Sequence, residues 1–155
     1  MSITHKHFKI YKPYGFLSQF IYSGKRKKGL LGTLHDFPKG TMSVGRLDEP
    51  SEGLLILTTD GKMSEAIRSK KVEKEYLVQV DITSADVSDV AIHRMRNGIE
   101  LEDGVTAPAE VSRLQEGVLR MVIHEGKNRQ IRRMCEAVGY PVIRLVRTRI
   151  GPIMD

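Results

Sequence analysis

The segment that most narrows the fold runs from Met42 to Thr58. A short apolar run, Met42 to Val44, precedes Gly45-Arg46-Leu47-Asp48-Glu49-Pro50-Ser51-Glu52-Gly53, and Leu54-Leu55-Ile56-Leu57-Thr58 follows at once. Two apolar runs separated by glycine and proline read as buried strands joined by a tight, charged loop. Side chains on a loop held by a rigid scaffold are well placed for chemistry. Pro50 fixes one backbone angle and biases Glu49 toward an extended conformation, while Gly53 can adopt angles closed to other residues. Asp48 then points in a fixed direction. Two roles stay open for it at this point: a cap for its own turn, common for Asp, or a working carboxylate. Glu49 and Glu52 read as turn residues.

The rest of the chain supplies elements around that loop. His7 to Tyr11 alternates as a strand and Lys12-Pro13-Tyr14-Gly15 ends it, after a terminus at His5 and His7 expected to fray. Residues 16 to 29 read as a loop, and its Lys25-Arg26-Lys27-Lys28 run, flanked by Gly24 and Gly29, repels itself and suits an anionic partner or plain solvent. Leu30 to Phe37 allows one or two helical turns. Lys62 to Ser69 reads as a short helix. Lys74 to Val80 reads as a strand with Tyr76, Val78 and Val80 on one face and Leu77 on the other. Tyr76 fits a half-buried position with its hydroxyl at a wet edge. Residues 85 to 96 are expected to be helical, started by Ser84 and stopped by Asn97-Gly98, with Val87, Val90, Ala91 and Met95 facing inward. Short strands follow at Ile99 to Leu101, Ala109 to Leu114 and Val118 to Ile123.

A second informative stretch is His124 to Pro141. Asn128 reads as the N-cap of a helix of about three turns ended by Gly139 and Pro141, with Ile131, Met134, Cys135 and Val138 toward the core. Its N-terminus, surrounded by Lys127, Arg129 and Arg132, combines free amide donors with fixed cations and suits an anion. The last strand, Val142 to Arg149, brings Arg144 and Arg147 near it.

Charge and cysteine content bound the partners. Lys and Arg number 25 against 19 acidic residues, a net charge of +6, which fits either a polyanion that releases counterions on binding or a well-solvated basic surface. No apolar run approaches the roughly 20 residues of a membrane span. The first residues lack the apolar stretch of a secretory signal, and a single cysteine, Cys135, excludes an internal disulfide and a cysteine-based zinc site. With the histidines scattered, no metal is expected and a reducing cytoplasm fits. The 155 residues suit one ordinary domain or two small lobes, with no repeat, low-complexity tract or linker.

Taken in order, Lys12-Pro13-Tyr14-Gly15, Gly45-Arg46-Leu47-Asp48 with Ser51-Glu52-Gly53-Leu54-Leu55-Ile56-Leu57-Thr58, Lys74-Glu75-Tyr76, and Glu125-Gly126-Lys127-Asn128-Arg129-Gln130-Ile131-Arg132-Arg133-Met134 resemble the ribosomal pseudouridine synthases of the type represented by small-subunit synthase A. The stretch from Lys12 to Phe20 is most similar to the large-subunit synthase E branch, and the resemblance runs from Phe8 to Gly151. It implies an α+β fold: a long, mixed but mostly antiparallel sheet in two lobes with flanking helices and a central cleft, formed by one catalytic domain over residues 1–155. It implies a uridine isomerase acting on large-subunit ribosomal RNA without cofactor or metal, and nothing in the sequence suggests more than a monomer.

The resemblance also assigns roles. Asp48 falls on the catalytic aspartate, Arg132 on its basic partner, and Tyr76 on the aromatic that stacks against the target base. Ile131 falls on the apolar residue around the base, and Arg46 on the arginine that fills the gap left by the flipped uridine. Many relatives carry a small N-terminal RNA-binding domain where this chain begins at the catalytic domain, and the family usually continues beyond the point where this chain stops. Grip on RNA is therefore expected from Lys12, Lys25 to Lys28, Lys127, Arg129, Arg133, Arg144 and Arg147. The rival readings are a catalytically silent RNA-binding or ribosome-assembly factor, and the same chemistry on another structured RNA.

Overall fold

A computed structural model describes residues 4–22, 24, 29–69 and 72–154; the Lys25 to Lys28 run lies outside them. The chain divides into two compact units, residues 1–71 with 154–155, and residues 72–153.

In the first unit, strand β1 (His7–Lys12), strand β2 (Met42–Val44) and strand β3 (Ser51–Thr58) are organised by β3. Its residues are all buried, as a run of Leu54-Leu55-Ile56-Leu57 demands, and it pairs antiparallel with both β1 and β2. The β1 register sets Ile10 opposite Leu55 and Phe8 opposite Leu57, so these four side chains share one face. Leu31, on a single 3-10 turn (Leu31–Thr33), completes that core with Phe20 and Phe37. Phe37 meets Phe8 and Phe20 edge-on at centroid distances of 5.2 and 5.6 Å, the favoured aromatic geometry. Helix α1 (Gly61–Ser69) begins where the Asp60 carboxylate accepts from the Lys62 amide at 3.0 Å.

One expectation for this unit fails. Glu52 lies inside β3, buried, and accepts a hydrogen bond from the Tyr11 hydroxyl at 3.1 Å; the strand starts earlier than Gly53 suggested because Gly53 pairs with Lys12. The ring nitrogens of His5 and His7 lie 3.3 and 2.8 Å from the hydroxyls of Thr59 and Thr58.

The second unit contains β4 (Lys74–Val80), a small hairpin of β5 (Glu100–Leu101) and β6 (Gly104–Val105), then β7 (Glu110–Gln115), β8 (Val118–Ile123) and β9 (Val142–Ile150). Four of these form an antiparallel sheet in the order β9-β4-β8-β7. Helix α2 (Asp89–Asn97) lies against β7, and helix α3 (Gln130–Ala137) against β9. The alternation in β4 is as read: Tyr76, Val78 and Val80 are buried and Leu77 is exposed. Val78 stands opposite Leu119 and Leu145, and Tyr76 opposite Met121. Each fully buried aliphatic side chain in this face contributes about 1.5–3 kcal/mol.

Both helices start later than the sequence suggested. Helix α2 is capped by Ser88, whose hydroxyl accepts from the Ala91 amide at 3.1 Å, rather than by Ser84. The reason is Asp86: its carboxylate takes the Val87 amide at 2.7 Å and the Gly117 amide at 3.0 Å, tying this segment to the β7–β8 turn and out of helical geometry. Ala91, Ile92 and Met95 face inward and Val90 is exposed, correcting the inward stripe. Helix α3 begins at Gln130, not after Asn128, and has about two turns. Its N-cap is Arg129, with φ 51°, and a tight turn precedes it, in which the Gln130 amide donates to the Lys127 carbonyl and the Gln130 side chain accepts from the Lys127 amide. The Asn128 carbonyl is held by the Arg133 guanidinium at 2.8 Å. Ile131, Met134 and Cys135 are buried as expected.

Candidate active site

Strands β2 and β3 are joined by the loop of residues 45–50. Gly45 sits at φ 70°, in the left-handed region that glycine enters without a Cβ penalty. Arg46 is exposed, Leu47 is buried, and Asp48 is half-buried. The Asp48 carbonyl accepts from the Ser51 amide at 2.9 Å, closing a turn around Glu49 and Pro50. This closure uses the backbone of Asp48, which any residue type supplies, so it does not account for a carboxylate at this position.

The segment after β1 fastens this loop. The Glu49 carbonyl accepts from the Gly15 amide at 2.9 Å and from the Lys12 ammonium at 3.2 Å. Lys12 also donates to the carbonyls of Pro13 and Phe16, at 3.0 and 2.6 Å, and has no exposed surface. This corrects its assignment to the RNA surface: three backbone carbonyls converge on the ammonium and hold it inside the protein. On the other side of Asp48, the buried hydroxyl of Ser18 bonds both backbone groups of Leu47.

In the second unit, Tyr76 lies in β4 between Met121 and Arg147 of the neighbouring strands and is 8% exposed. Arg147 is 4% exposed, so it too leaves the expected RNA surface; strand alternation puts it with Leu145 on the inner face, opposite to exposed Arg144. Burial, and then the charge of Arg147, pull the Lys74 ammonium below its ordinary value. Cation beside cation in a half-buried place favours anionic company.

The first turn of α3 carries Ile131, buried, and Arg132, half-buried. Burial pushes the Cys135 thiol up to about 12, with Arg132 pulling the other way. Arg133 is engaged locally: its guanidinium grips the Asp103 carboxylate through two bonds, at 2.9 and 3.1 Å, which raises its own affinity for a proton and lowers that of Asp103. Arg133 thereby fastens the β5–β6 hairpin to α3, with its side chain still 29% exposed. Lys127 reaches the Asp103 carbonyl at 3.4 Å, and Arg129 and Arg144 are exposed.

Within the first unit the structure thus gathers Lys12, Ser18, Arg46 and Asp48 on or behind one loop. Within the second it groups Tyr76 with Arg147 on the sheet and Ile131 with Arg132 on α3. Sequence reasoning gave no role to Ser18, although it lies in the Lys12 to Phe20 stretch, and missed the burial of Arg147, for which the apolar alternation of Leu145 was the available signal.

The model of a family described as RNA pseudouridylate synthase matches residues 6–137. The ribosomal large subunit pseudouridine synthase E of Xanthomonas axonopodis pv. citri is 39% identical over 163 residues, covering 90% of this chain and 83% of that protein. The ribosomal large subunit pseudouridine synthase B of Bacillus subtilis is 34% identical over 147 residues, covering 91% of this chain. The chain spans 59% of the length of that synthase B and 66% of the synthase E of Vibrio vulnificus. A crystal structure of a pseudouridylate synthase superimposes with a TM-score of 0.85 at 30% identity, over 97% of this chain and 65% of that one. The α+β architecture and the resemblance carried by the motifs are borne out together, and the chain belongs to the RNA pseudouridylate synthase family.

Proposed function

We propose that this chain isomerises a uridine of large-subunit (23S) ribosomal RNA to pseudouridine, in the cytoplasm and as a monomer, its two units acting as one catalytic domain over residues 1–155. The observation that carries this reading is the loop of residues 45–50, whose half-buried Asp48 is flanked by two backbone positions fastened from the segment after β1, in a chain 39% identical to a large-subunit synthase E. In the reaction the N1–C1′ bond breaks with its electron pair staying on N1, the uracil rotates, a C5–C1′ bond forms, the hydrogen on C5 leaves as a proton, and N1 takes up a proton. Nothing is oxidised and no water is added, so the chemistry needs neither cofactor nor metal, and one carboxylate suffices.

Asp48 either bonds C1′ or assists departure of the base. Arg132, half-buried on the first turn of α3, is the basic residue of the reaction. Tyr76 offers its ring to the uracil and Ile131 packs the surroundings. Arg46, exposed two residues before Asp48, fills the space of the extruded base. Lys127, Arg129 and Arg144 contribute salt-dependent grip on phosphates.

Release of tritium from 23S transcripts carrying uridine labelled at C5 tests the reading. Wild-type protein releases the label; Asp48→Asn, similar in size and hydrogen bonding, binds RNA and keeps its circular dichroism but releases none. Turnover by the Asn variant refutes the assigned role. Binding without release by the wild type, on 23S and other structured RNA alike, replaces the enzyme with an RNA-binding factor.

A further inference from the structure

We propose that Ser18 is a positioning residue for Asp48. The inference rests on Asp48 being the reacting carboxylate, and it concerns what aims that group. The Ser18 hydroxyl, 6% exposed, donates to the Leu47 carbonyl and accepts from the Leu47 amide, each at 3.0 Å. A hydroxyl has one proton to give and lone pairs to receive, and here both capacities serve the residue directly before Asp48. The Leu47 carbonyl belongs to the peptide that joins Leu47 to Asp48, so Ser18 restrains the plane of the peptide from which Asp48 departs.

The peptide after Glu49 is held independently, by the Gly15 amide and the Lys12 ammonium on the Glu49 carbonyl. Asp48 therefore sits between two fixed peptide planes, and Ser18 holds the nearer one through its side chain. Ser18 is itself anchored: its carbonyl accepts from the Ser43 hydroxyl of β2 at 3.2 Å, and the next carbonyl, of Gln19, accepts from the Leu31 amide at 2.9 Å. The hydroxyl thus hangs from the strand and core that carry the loop, so it transmits the rigidity of the scaffold to the carboxylate.

Such a role predicts a loss in turnover without a loss in RNA affinity, because a carboxylate displaced by about 1 Å costs on the order of a hundredfold in rate. The experiment compares Ser18→Ala, Ser18→Thr and Ser18→Cys with wild type in the tritium-release assay on 23S transcript, with RNA affinity and melting temperature measured on the same preparations and Asp48→Asn run beside them. The expected result is a kcat about ten- to a hundredfold lower in Ser18→Ala, KM and RNA affinity within about twofold, recovery in Ser18→Thr, and an intermediate Ser18→Cys. Should Ser18→Ala fail to fold, the Cys and Thr variants are ranked by the same kcat criterion. A kcat within twofold of wild type in folded Ser18→Ala or Ser18→Cys, or Thr no better than Cys, overturns the inference while an inactive Asp48→Asn leaves the proposed function standing. An active Asp48→Asn removes both.

Discussion

Replacing Lys12 with Met tests the claim that this cation belongs to the interior. Met keeps most of the side-chain volume and removes the ammonium, so the Phe16 carbonyl loses its 2.6 Å donor. The Pro13 carbonyl is left with the Phe16 amide at 3.4 Å, while the Glu49 carbonyl keeps the Gly15 amide at 2.9 Å. An acceptor stranded away from water costs about 1–3 kcal/mol, and one carbonyl left bare, with a second left on a long bond, brings the loss to roughly 2–5 kcal/mol. Relief of the desolvation of a buried ammonium offsets part of it, leaving about 2–4 kcal/mol. For a chain of this size that lowers the melting temperature by roughly 5–15 °C. Urea unfolding followed by circular dichroism measures it directly, with an unchanged slope expected because the surface exposed on unfolding is the same. A Lys12→Met protein within about 0.5 kcal/mol of wild type, the range of ordinary surface substitutions, refutes the reasoning and returns Lys12 to the RNA surface.

Gly98→Ala is expected to destabilise by about 3 kcal/mol, since φ is 122° and the new Cβ would stand 2.7 Å from the Thr106 carbonyl oxygen; a melting temperature equal to wild type refutes it. A hydrogen bond from Thr148 holds the Glu75 carboxyl below its ordinary value, helped by Arg120 and Arg149 against the opposing effect of burial. A depressed folded value means stability that is present above the ordinary 4.5 and lost as pH falls through the folded value. Glu75→Gln is therefore less stable than wild type at neutral pH, and the gap closes in acid; urea midpoints that differ equally at both ends refute the assignment. Lys127→Ala is expected to weaken binding across RNA sequences and to reduce the salt slope by about one, and an unchanged slope in a salt titration removes Lys127 from the phosphate contacts.

The parts of the fold legible in the sequence are those where one signal had no competitor. Leu54 to Leu57 could only be buried, and the alternation of Tyr76, Val78 and Val80 matches the observed faces. Errors arose where a polar side chain made a long-range bond that local propensity does not contain. Asp86 reads as the first turn of a helix until its bond to Gly117, 31 residues away, takes it out. Asn128 reads as a cap until its carbonyl goes to Arg133, and Arg129 takes the left-handed position instead. Glu52 reads as a turn until Tyr11 reaches it across β1. Asp48, Tyr76 and Arg132 are proposed as site residues from type and motif. Ser18 is not, because a serine acts here only through the peptide it faces.

The same principle changes how the basic charge is read. A net +6 suggests a broad cationic surface, yet the described structure commits a large share of its cations inward or to neighbours. Lys12 serves carbonyls, Arg133 holds Asp103, and Arg120 and Arg149 surround Glu75. Arg113 joins Asp86 and Asp89 at the start of α2, and Arg147 is buried on the sheet beside Tyr76. Of the candidate RNA contacts in the described residues, Arg46, Arg129 and Arg144 keep exposed side chains, and Lys127 is half-buried and reaches a carbonyl. A cation buried in the protein cannot reach a phosphate, so the counterions released on binding RNA come from exposed side chains. The salt dependence of binding should accordingly follow this smaller set, and neutralising Arg133 should loosen the β5–β6 hairpin from α3 before it alters that slope.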